Sequence, residues 1–450
     1  MADAPPMEAI VLADIATVLL AGTAMVKLAK RLRQPPVVAE ITVGLMLGPS
    51  LLGMLPGNIP HHLFPGGAMP MLSVIAQVGL VLFMFLAGLE LDVAALRGHG
   101  KSVTTIAALS MAVPFALGVL TAAVLYGRYA PHAVSLAVFV LYMGTAFSIT
   151  AFPVLARIIR DGGLSRTRIG TLAMACAAVC DVLAWCLLAV VVAVAQSDGI
   201  ARSASVVAWA AAYGVVMFLI VRPLLRRVVA SLTRHADHGT LLVMVVSGTF
   251  LSSCASAWIG IHAIFGAFVF GMVMPREALS GLLGQVAASV ERVSSLFLPV
   301  FFIVTGLSVD IGALGWAGLV ALLLVVVTAV AGKFAGAALP ARLLGMGWRE
   351  AGAFGALMNT RGLTEIVILD IGRELGLISD RVFTLMVLMA LLTTIAAGPV
   401  LRALRLWNPD SVPPVAGSVL PSSSRRRPQH VNEAGVASRS PGHTADGPNP

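Results

Sequence analysis

The sequence predicts an all-α polytopic membrane protein, in which about 13 transmembrane helices form two inverted five-helix repeats with crossed, broken helices. Of the 450 residues, 58% are hydrophobic and only 11% are charged, and the mean hydropathy is +0.94. A soluble globular domain carries about 25% charged residues. The other observations are apolar runs long enough to cross a bilayer and polar interruptions inside two of them.

Apolar runs bounded by charge, proline or glycine mark the spans in chain order, and each span needs about 20 such residues. The predicted spans are about 9–29, 36–56, 71–89, 102–126, 132–156, 168–196, 204–225, 240–258, 260–274, 288–308, 313–341, 349–372 and 382–403. We divide the stretch 240–274 into two helices near Ile259–Gly260, because this division keeps the basic loop residues on one side of the membrane.

Lysine and arginine in the short loops predict the orientation. With thirteen spans, 20 basic residues lie in the loops after odd-numbered spans, and four, Arg128, Arg202, Arg373 and Arg381, lie on the other side. Cytoplasmic loops carry the excess of Lys and Arg, so we expect the N-terminus outside and the C-terminus in the cytoplasm of a cell membrane. Since the basic residues act as topology signals in a lipid bilayer, the net charge of +9 does not indicate a nucleic-acid partner.

Composition also predicts the domain boundaries. Residues 1–406 form the membrane domain, with repeats at about 36–196 and 260–403, and residues 407–450 are rich in Pro, Ser, Gly and Arg. Such a tail buries no core and is expected to be disordered and cytoplasmic. All four cysteines lie in apolar segments without metal-ligand spacing, so we interpret them as buried small hydrophobic residues rather than as disulfides or metal ligands. No cofactor is expected.

Two spans carry polar interruptions. Span five contains SITAFP, from Ser148 to Pro153, and span twelve contains NTRGLTE, from Asn359 to Glu365. Proline breaks the helical hydrogen-bond ladder, and Gly362 marks the second break. The interruptions lie seven spans apart, an odd number, so the two halves run in opposite directions. Paired broken helices in inverted halves indicate the binding site of a transporter.

Asp181 is the acid in the middle of span six. No other charge occurs from Ile169 to Ser197, and the 13 residues back to Arg168 span about 20 Å of helix. An Asp at this depth costs about 2.5–3.5 kcal/mol on insertion scales, so it normally faces a cavity or a partner. Burial disfavours the bare carboxylate, so a proton and a metal cation compete for its oxygens. Alternate exposure to the two sides then exchanges one for the other.

Lys333 is the second buried charge, in span eleven between Gly332 and Gly336. Three roles are open: pairing with Asp181, neutralising the carbonyl ends of the broken helices, or extending towards the membrane surface near Arg342. We favour the second role. The two glycines have the GxxxG spacing that allows close approach of helices.

Arg361 and Glu365 are spaced i,i+4 and, with Lys333 and Asn359, are predicted to support the helix crossing rather than to bind the cation. Asp14, Glu40, Glu90 and His262 also lie in or near spans. We interpret them as interfacial or packing residues. The alternative for Glu40 and Glu90 is that they line an entry funnel.

Eight stretches in order resemble the monovalent cation–proton antiporter-2 family, especially its branch with the plant cation/H+ exchangers. They are AEITVGLMLGPSLLG (39–53), FLAGLELD (85–92), SITAFPVLARI (148–158), CDVLAW (180–185), IGIHAIFGAFVFGMVMP (259–275), LPVFFIVTGLSVD (298–310), AGKFAG (331–336) and MNTRGLTEIVILDIG (358–372). Together they cover nearly all of residues 9–403.

The resemblance implies an inverted-repeat antiporter fold with a mobile core, about 102–196 and 313–403, and a dimerisation panel, about 9–89 and 240–308. It also implies a homodimer. By motif match, Asp181 corresponds to the ion-binding and proton-carrying aspartate, Thr150 lies in the unwound crossing, and Lys333 holds the basic position of span eleven. Ser148 and Cys180 complete the expected ion- and proton-binding set.

One position departs from the family pattern. The family usually has Asn-Asp or Asp-Asp where this chain has Cys180-Asp181. Cysteine is a weak hydrogen-bond donor and a poor ligand for hard cations. A single titrating acid remains, which fits the hypothesis of 1:1 electroneutral exchange.

The predicted function is antiport of Na+ or K+ against H+. One alternative is a sodium symporter for an organic anion, which needs a larger polar lining than SITAFP and NTRGLTE offer. Another is a cation sensor without transport. An enzyme is disfavoured, because HExxH, GxSxG and Gly-rich phosphate loops do not occur in a suitable context.

Overall fold

The computed structural model describes residues 6–32, 34–56, 63–90, 101–164, 167–195, 200–234, 238–275 and 281–405. The predicted disordered tail, 407–450, lies outside the described residues.

Seventeen α-helices make up the described part of the chain, and they follow the apolar runs of the sequence. The helices of the first half are α1 Met7–Arg31, α2 Pro36–Leu47, α3 Met69–Glu90, α4 Lys101–Tyr129, α5 Leu136–Ser148, α6 Phe152–Asp161, α7 Arg168–Ala195, α8 Ile200–Val216 and α9 Arg222–Arg234. Those of the second half are α10 His238–Ile259, α11 Ala263–Val273, α12 Leu282–Leu307, α13 Gly315–Lys333, α14 Leu339–Leu343, α15 Trp348–Met358, α16 Leu363–Glu374 and α17 Asp380–Ala403.

Ten stretches of the described residues are helical, long and apolar enough to cross a membrane. One of them, Leu282–Leu343, contains both α12 and α13, while α11 is an apolar helix of only 11 residues. The all-α multi-pass fold is therefore confirmed, and the count of thirteen spans stays a prediction.

The predicted span 36–56 matches the candidate membrane span Pro36–Met54. Several predicted spans differ from the helices at their ends; α12, for example, begins at Leu282 rather than at about 288. The span 36–56 is helical only to Leu47, because Gly48 is extended and Pro49 follows it; a short 3-10 turn, Leu52–Met54, comes after them. The span 204–225 continues to Arg234, since α8 passes through a π-turn, Met217–Val221, into α9. The arginines of α9 did not end the helix, because its other face keeps Leu225 and Val229 buried.

The division of 240–274 into two helices is confirmed. Helix α10 ends at Ile259, and α11 begins at Ala263. Gly260 has a φ of 94°, a left-handed conformation that glycine adopts without the steric cost of a Cβ. His262 caps the new helix by accepting a hydrogen bond from the amide of Ile264.

The helices pack in two sets. In one set, α12 lies against α2 and α3, and α11 lies against α3 and α10. In the other set, α4 contacts α5, α7 and α13, while α16 contacts α5, α6 and α17. The expected division into core and panel stays a prediction, because the packing gives neither the motion nor the dimer contact that define it.

The predicted close approach at Gly332 and Gly336 is confirmed. A Cβ on Gly336 would lie 2.5 Å from the carbonyl oxygen of Leu109 on α4, and one on Gly332 would lie 3.0 Å from Cα of Pro114. Both glycines therefore bring α13 and the π-turn after it, Phe334–Ala338, onto α4. Lys333 lies between them and is buried in the interior.

Candidate ion-binding site

Two broken helices meet at the centre of the site. Between α5 and α6, residues 149–151 are extended, and Pro153 sits in the first turn of α6, where it needs no amide donor. Between α15 and α16 the chain leaves the helix after Met358 and re-enters it at Leu363. Both breaks therefore fall inside the predicted motifs SITAFP and NTRGLTE.

The two breaks are hydrogen-bonded to each other. The amide of Ala151 donates to the carbonyl of Thr360 at 3.1 Å, and the hydroxyl of Thr150 donates to the carbonyl of Met358 at 2.9 Å. The contact is close: a Cβ on Gly362 would lie 2.6 Å from Cγ2 of Val154 on α6. Extended backbone buried in a membrane protein needs such partners, because lipid offers none.

Lys333 covers the carbonyl end of α5. Its Nζ donates to the carbonyls of Ser148 and Ser110 at 2.6 and 3.1 Å, and to Oγ1 of Thr150 at 2.8 Å. The C-terminal end of a helix carries partial negative charge, which a cation stabilises. Of the three roles considered, the geometry matches neutralisation of a helix end.

Arg361 and Glu365 form a fully buried ion pair, with Nη1 and Oε1 3.0 Å apart. The guanidinium also donates to the carbonyls of Ala146 and Phe147, at 3.2 and 2.8 Å. Arg361 belongs to one broken helix and Ala146 and Phe147 to the other, so this side chain ties the crossing together. Among the described residues, Oε2 of Glu365 and Nε of Arg361 have no hydrogen-bond partner.

Asp181 faces the opposite ends of the two half-helices. The residue is 5% exposed. Oδ1 accepts a 3.3 Å hydrogen bond from the hydroxyl of Thr364, and the carboxylate also accepts from the backbone amide of Phe152. Phe152 and Thr364 lie in the first turns of α6 and α16. Helix N-termini carry partial positive charge and free amides, so they favour an anion at this point.

The other predicted site residues are placed less directly. The hydroxyl of Ser148 donates to the carbonyl of Thr145 in its own helix, so Ser148 offers the crossing its backbone carbonyl. Cys180 turns towards α4, where its Sγ lies 3.3 Å from Oγ of Ser110. Asn359 ends α15 and lines a separate apolar cavity of about 210 Å³ with residues of α13 and α17.

Sequence reasoning missed two contacts of the site. Thr364 is the side chain that bonds Asp181, although it stood inside the quoted motif NTRGLTE. Its position in the first turn after a predicted break was the available signal, because side chains there lie beside unpaired amides. Ser110 connects Lys333 to Cys180, and a lone serine in an apolar helix gives no such signal.

A cavity of about 420 Å³ lies between α3, α12 and α16. Its lining includes His262, Phe301, Thr305, Val367, Asp370 and Glu374. Val367 is about one helical turn along α16 from Thr364, so the cavity approaches the contact between α16 and Asp181. Glu40 and Glu90, which were expected near a funnel, do not line it.

Residues 15–407 match the family described as the transmembrane sodium/hydrogen exchanger. The Na+/H+ antiporter NhaS4 of Synechocystis sp. is 41% identical over 395 residues, which are 87% of this chain and 96% of that protein. Cation/H+ antiporter 20 of Arabidopsis thaliana is 41% identical over 397 residues, 83% of this chain; the match spans 46% of the plant protein, about half its length.

The fold resembles the sodium proton antiporter MjNhaP1 of Methanocaldococcus jannaschii. The two structures superimpose with a TM-score of 0.65 at 16% identity, covering 90% of this chain and all of the other. At that identity the likeness concerns the fold alone.

Proposed function

Since the chain belongs to the sodium/hydrogen exchanger family, we propose that it exchanges a monovalent cation, Na+ or K+, for H+ by alternating access, with Asp181 holding each in turn. It is a multi-pass membrane antiporter, and its resemblance to antiporters runs over 87% of its length. The resemblance to antiporters does not favour an organic-anion symporter or a sensor without transport. The transported cation and the proton are its partners.

The observation that carries the proposed role of Asp181 is its position between the two half-helices. The carboxylate is almost fully buried, and Thr364 and the amide of Phe152 are its hydrogen-bond donors. These donors hold its oxygens in place, but no cationic side chain forms a salt bridge with it among the described residues. A buried carboxylate without a permanent counter-ion is stabilised by binding a proton or a metal cation.

The neighbouring charges explain why Asp181 is the exchangeable one. Arg361 and Glu365 neutralise each other, and Lys333 is held by two carbonyls and a hydroxyl at the end of α5. We infer that these groups keep their charge through the cycle, while Asp181 alternates between its two ligands. Exchange is then 1:1 and electroneutral, so an imposed voltage leaves its rate unchanged.

The access route proposed for this cycle is the cavity between α3, α12 and α16. It reaches Val367, close to the turn of α16 that carries Thr364. Movement of α16 against α3 and α12 would open or close this side of the site.

By the charges of the loops we also propose a cell-membrane location with the N-terminus outside, and by resemblance to the family a homodimer. Protease access to a terminal tag and native mass spectrometry test these points.

The experiment is cation-driven proton flux in proteoliposomes, read from the recovery of a pH-dye signal on adding Na+, K+, Rb+ or Li+. The native chain is expected to respond, and Asp181→Asn is expected to show no flux, because an amide cannot bind either ligand as an anion does. Asp14→Asn, which changes another buried aspartate in α1, is the matched control and should retain flux. Full flux in Asp181→Asn with intact size-exclusion behaviour would refute the proposal.

A further inference from the structure

The cavity between α3, α12 and α16 lies at the end of the molecule where α1 begins. Its lining includes Gly66, and a Cβ on the neighbouring Gly67 would lie 2.7 Å from Cε of Met7, the first residue of α1. The loop charges predict this end to be outside. Alternating access requires the cytoplasmic route to be closed while an outer cavity is open, so the contacts that close it belong to the opposite end of the helices.

Residues 34–38, which we call the inner corner, connect α1 to the first turn of α2 at that opposite end. The backbone amide of Gln34 donates to the carbonyl of Ala29, near the end of α1, at 2.9 Å. Pro35 has a φ of −61°, which its ring fixes, and Pro36 begins α2 directly after it. The inner corner is therefore a stiff connection that moves together with α2.

The inner corner packs against the crossing of the broken helices. A Cβ on Gly362 would lie 3.7 Å from Cγ1 of Val37 and 2.6 Å from Cγ2 of Val154 on α6. Both valines are buried. Since α2 packs in one set of helices while α6 and α16 pack in the other, this contact closes the boundary between the two sets on the side of the crossing away from the cavity.

Gln34 also joins the inner corner to α17, which contacts α2 and belongs to the second set of helices. Its Nε2 donates to the carbonyl of Ile395 at 3.4 Å. This acceptor is available because the residue four positions later is Pro399, which has no amide hydrogen to donate. The same arrangement occurs on α4, where Pro114 leaves the carbonyl of Ser110 to a side chain from α13.

We propose that the inner corner is the cytoplasmic gate of the exchanger, and that Gln34 is the positioning residue that keeps this gate closed while the outer cavity is open. The inference rests on the proposed alternating access. As α6, α16 and α17 move to close the outer cavity, Val154 separates from Val37 and the bond from Gln34 to the carbonyl of Ile395 breaks. The cytoplasm then reaches the crossing, so the bond stabilises the outward-open arrangement relative to the inward-open one.

The test measures access from each side with a membrane-impermeant maleimide, at equal pH and without an ion gradient. Two reporter chains carry Cys186→Ser and Cys254→Ser, which remove the exposed thiols, and either Val154→Cys at the gate or Ser73→Cys in the cavity. Inside-out vesicles are used for the gate thiol and right-side-out vesicles for the cavity thiol. Gln34→Met keeps the length of the side chain but removes the donor, so the ratio of gate labelling to cavity labelling should rise about two- to tenfold, the scale of one neutral hydrogen bond.

Pro399→Ala tests the acceptor of the same bond. Alanine restores an amide hydrogen that bonds the carbonyl of Ile395 within α17, so this variant should also raise the labelling ratio. Gln34→Met added to Pro399→Ala should raise it little further, because the bond is already lost. The matched control is Gln285→Met, the same change at an exposed position on α12, which should leave the ratio as in the native chain.

An unchanged ratio in Gln34→Met would overturn the proposal. Full additivity of Gln34→Met and Pro399→Ala would also overturn it, because Gln34 would then act through another contact. The two variants change opposite partners of the bond, so each tests it if the other fails to fold. Labelling needs no transport: ion exchange with unchanged labelling refutes the gate alone, whereas full flux in Asp181→Asn refutes the proposed function whatever the labelling shows.

Discussion

The two broken helices share a shape but differ in where their charges come from. The break between α5 and α6 contains only Ile149, Thr150 and Ala151, so its carbonyl end depends on Lys333 and Arg361 from other helices. The break between α15 and α16 carries its own Arg361, with Glu365 in the following turn. The second half of the chain therefore supplies the charged side chains at both breaks.

The charge that we propose to be exchangeable comes from the first half. Asp181 lies on α7 and meets both half-helices at their amide ends, whereas Lys333 and Arg361 meet carbonyl ends. Each charge thus lies at the helix end of opposite partial sign. In the proposed mechanism burial alone does not make a group a carrier, because Glu365 is as buried as Asp181 but is paired with Arg361.

The largest expected effect comes from removing the guanidinium of Arg361, which belongs to one break and bonds the helix end at the other. Arg361→Ala leaves Glu365 buried without its partner and uncovers the carbonyls of Ala146 and Phe147. Breaking a buried pair in this way costs about 3–5 kcal/mol. We expect a strong fall in the thermal unfolding temperature in detergent, measured by fluorescence, together with loss of flux.

The matched control is the double variant Arg361→Gln/Glu365→Gln, which removes both charges and keeps a polar side chain at each position. It should be more stable than Arg361→Ala, because it strands no charge. Equal stability of Arg361→Ala and the native chain would show that the pair does not hold the crossing.

The sequence predicted the local part of this site well. Proline and glycine among polar residues mark both breaks, and an acid far from either end of a span marks Asp181. These signals work because lipid penalises unpaired polar groups, so each exception within an apolar run indicates a special environment.

The contacts across the crossing could not be predicted in the same way. Lys333 bonds the carbonyl of Ser148, which lies 185 residues earlier, and Thr364 bonds Asp181, 183 residues earlier. Composition and spacing describe one helix at a time, whereas these bonds depend on how distant helices are rotated. The same limit applies to Cys180, which adjoins Asp181 in sequence but contacts Ser110 on α4.

A smaller effect is expected at Thr364, in the first turn of α16, where Asp181 meets the amide end of that helix. Thr364→Val keeps the shape of the side chain but removes the hydroxyl that bonds Asp181. A hydrogen bond to a charged group contributes about 1.5–3 kcal/mol, so the cation concentration for half-maximal flux should rise about tenfold or more. Thr364→Ser, the control, should remain within about threefold of native, because it retains the hydroxyl. Equal values for the valine and serine variants would remove Thr364 from the site.

The smallest effect is expected at Cys180, where this chain departs from the family pattern. Its Sγ lies 3.3 Å from Oγ of Ser110 and 3.7 Å from the carbonyl of Ala107, both on α4. We therefore expect it neither to support the carboxylate nor to carry a charge in the cycle. Cys180→Ala should therefore change the initial exchange rate by no more than about twofold, the scale of one weak neutral hydrogen bond. A large loss in this variant would mean that the thiol turns towards the ion in another step.

In the proposed mechanism Asp181 is the single exchangeable charge, both in the native chain and in Cys180→Ala. A K+ diffusion potential imposed with valinomycin during Na+-driven flux should therefore alter neither rate. A voltage-dependent rate in the native chain would mean that a second group changes its charge during the cycle. Lys333 and Glu365 are the nearest candidates for that group.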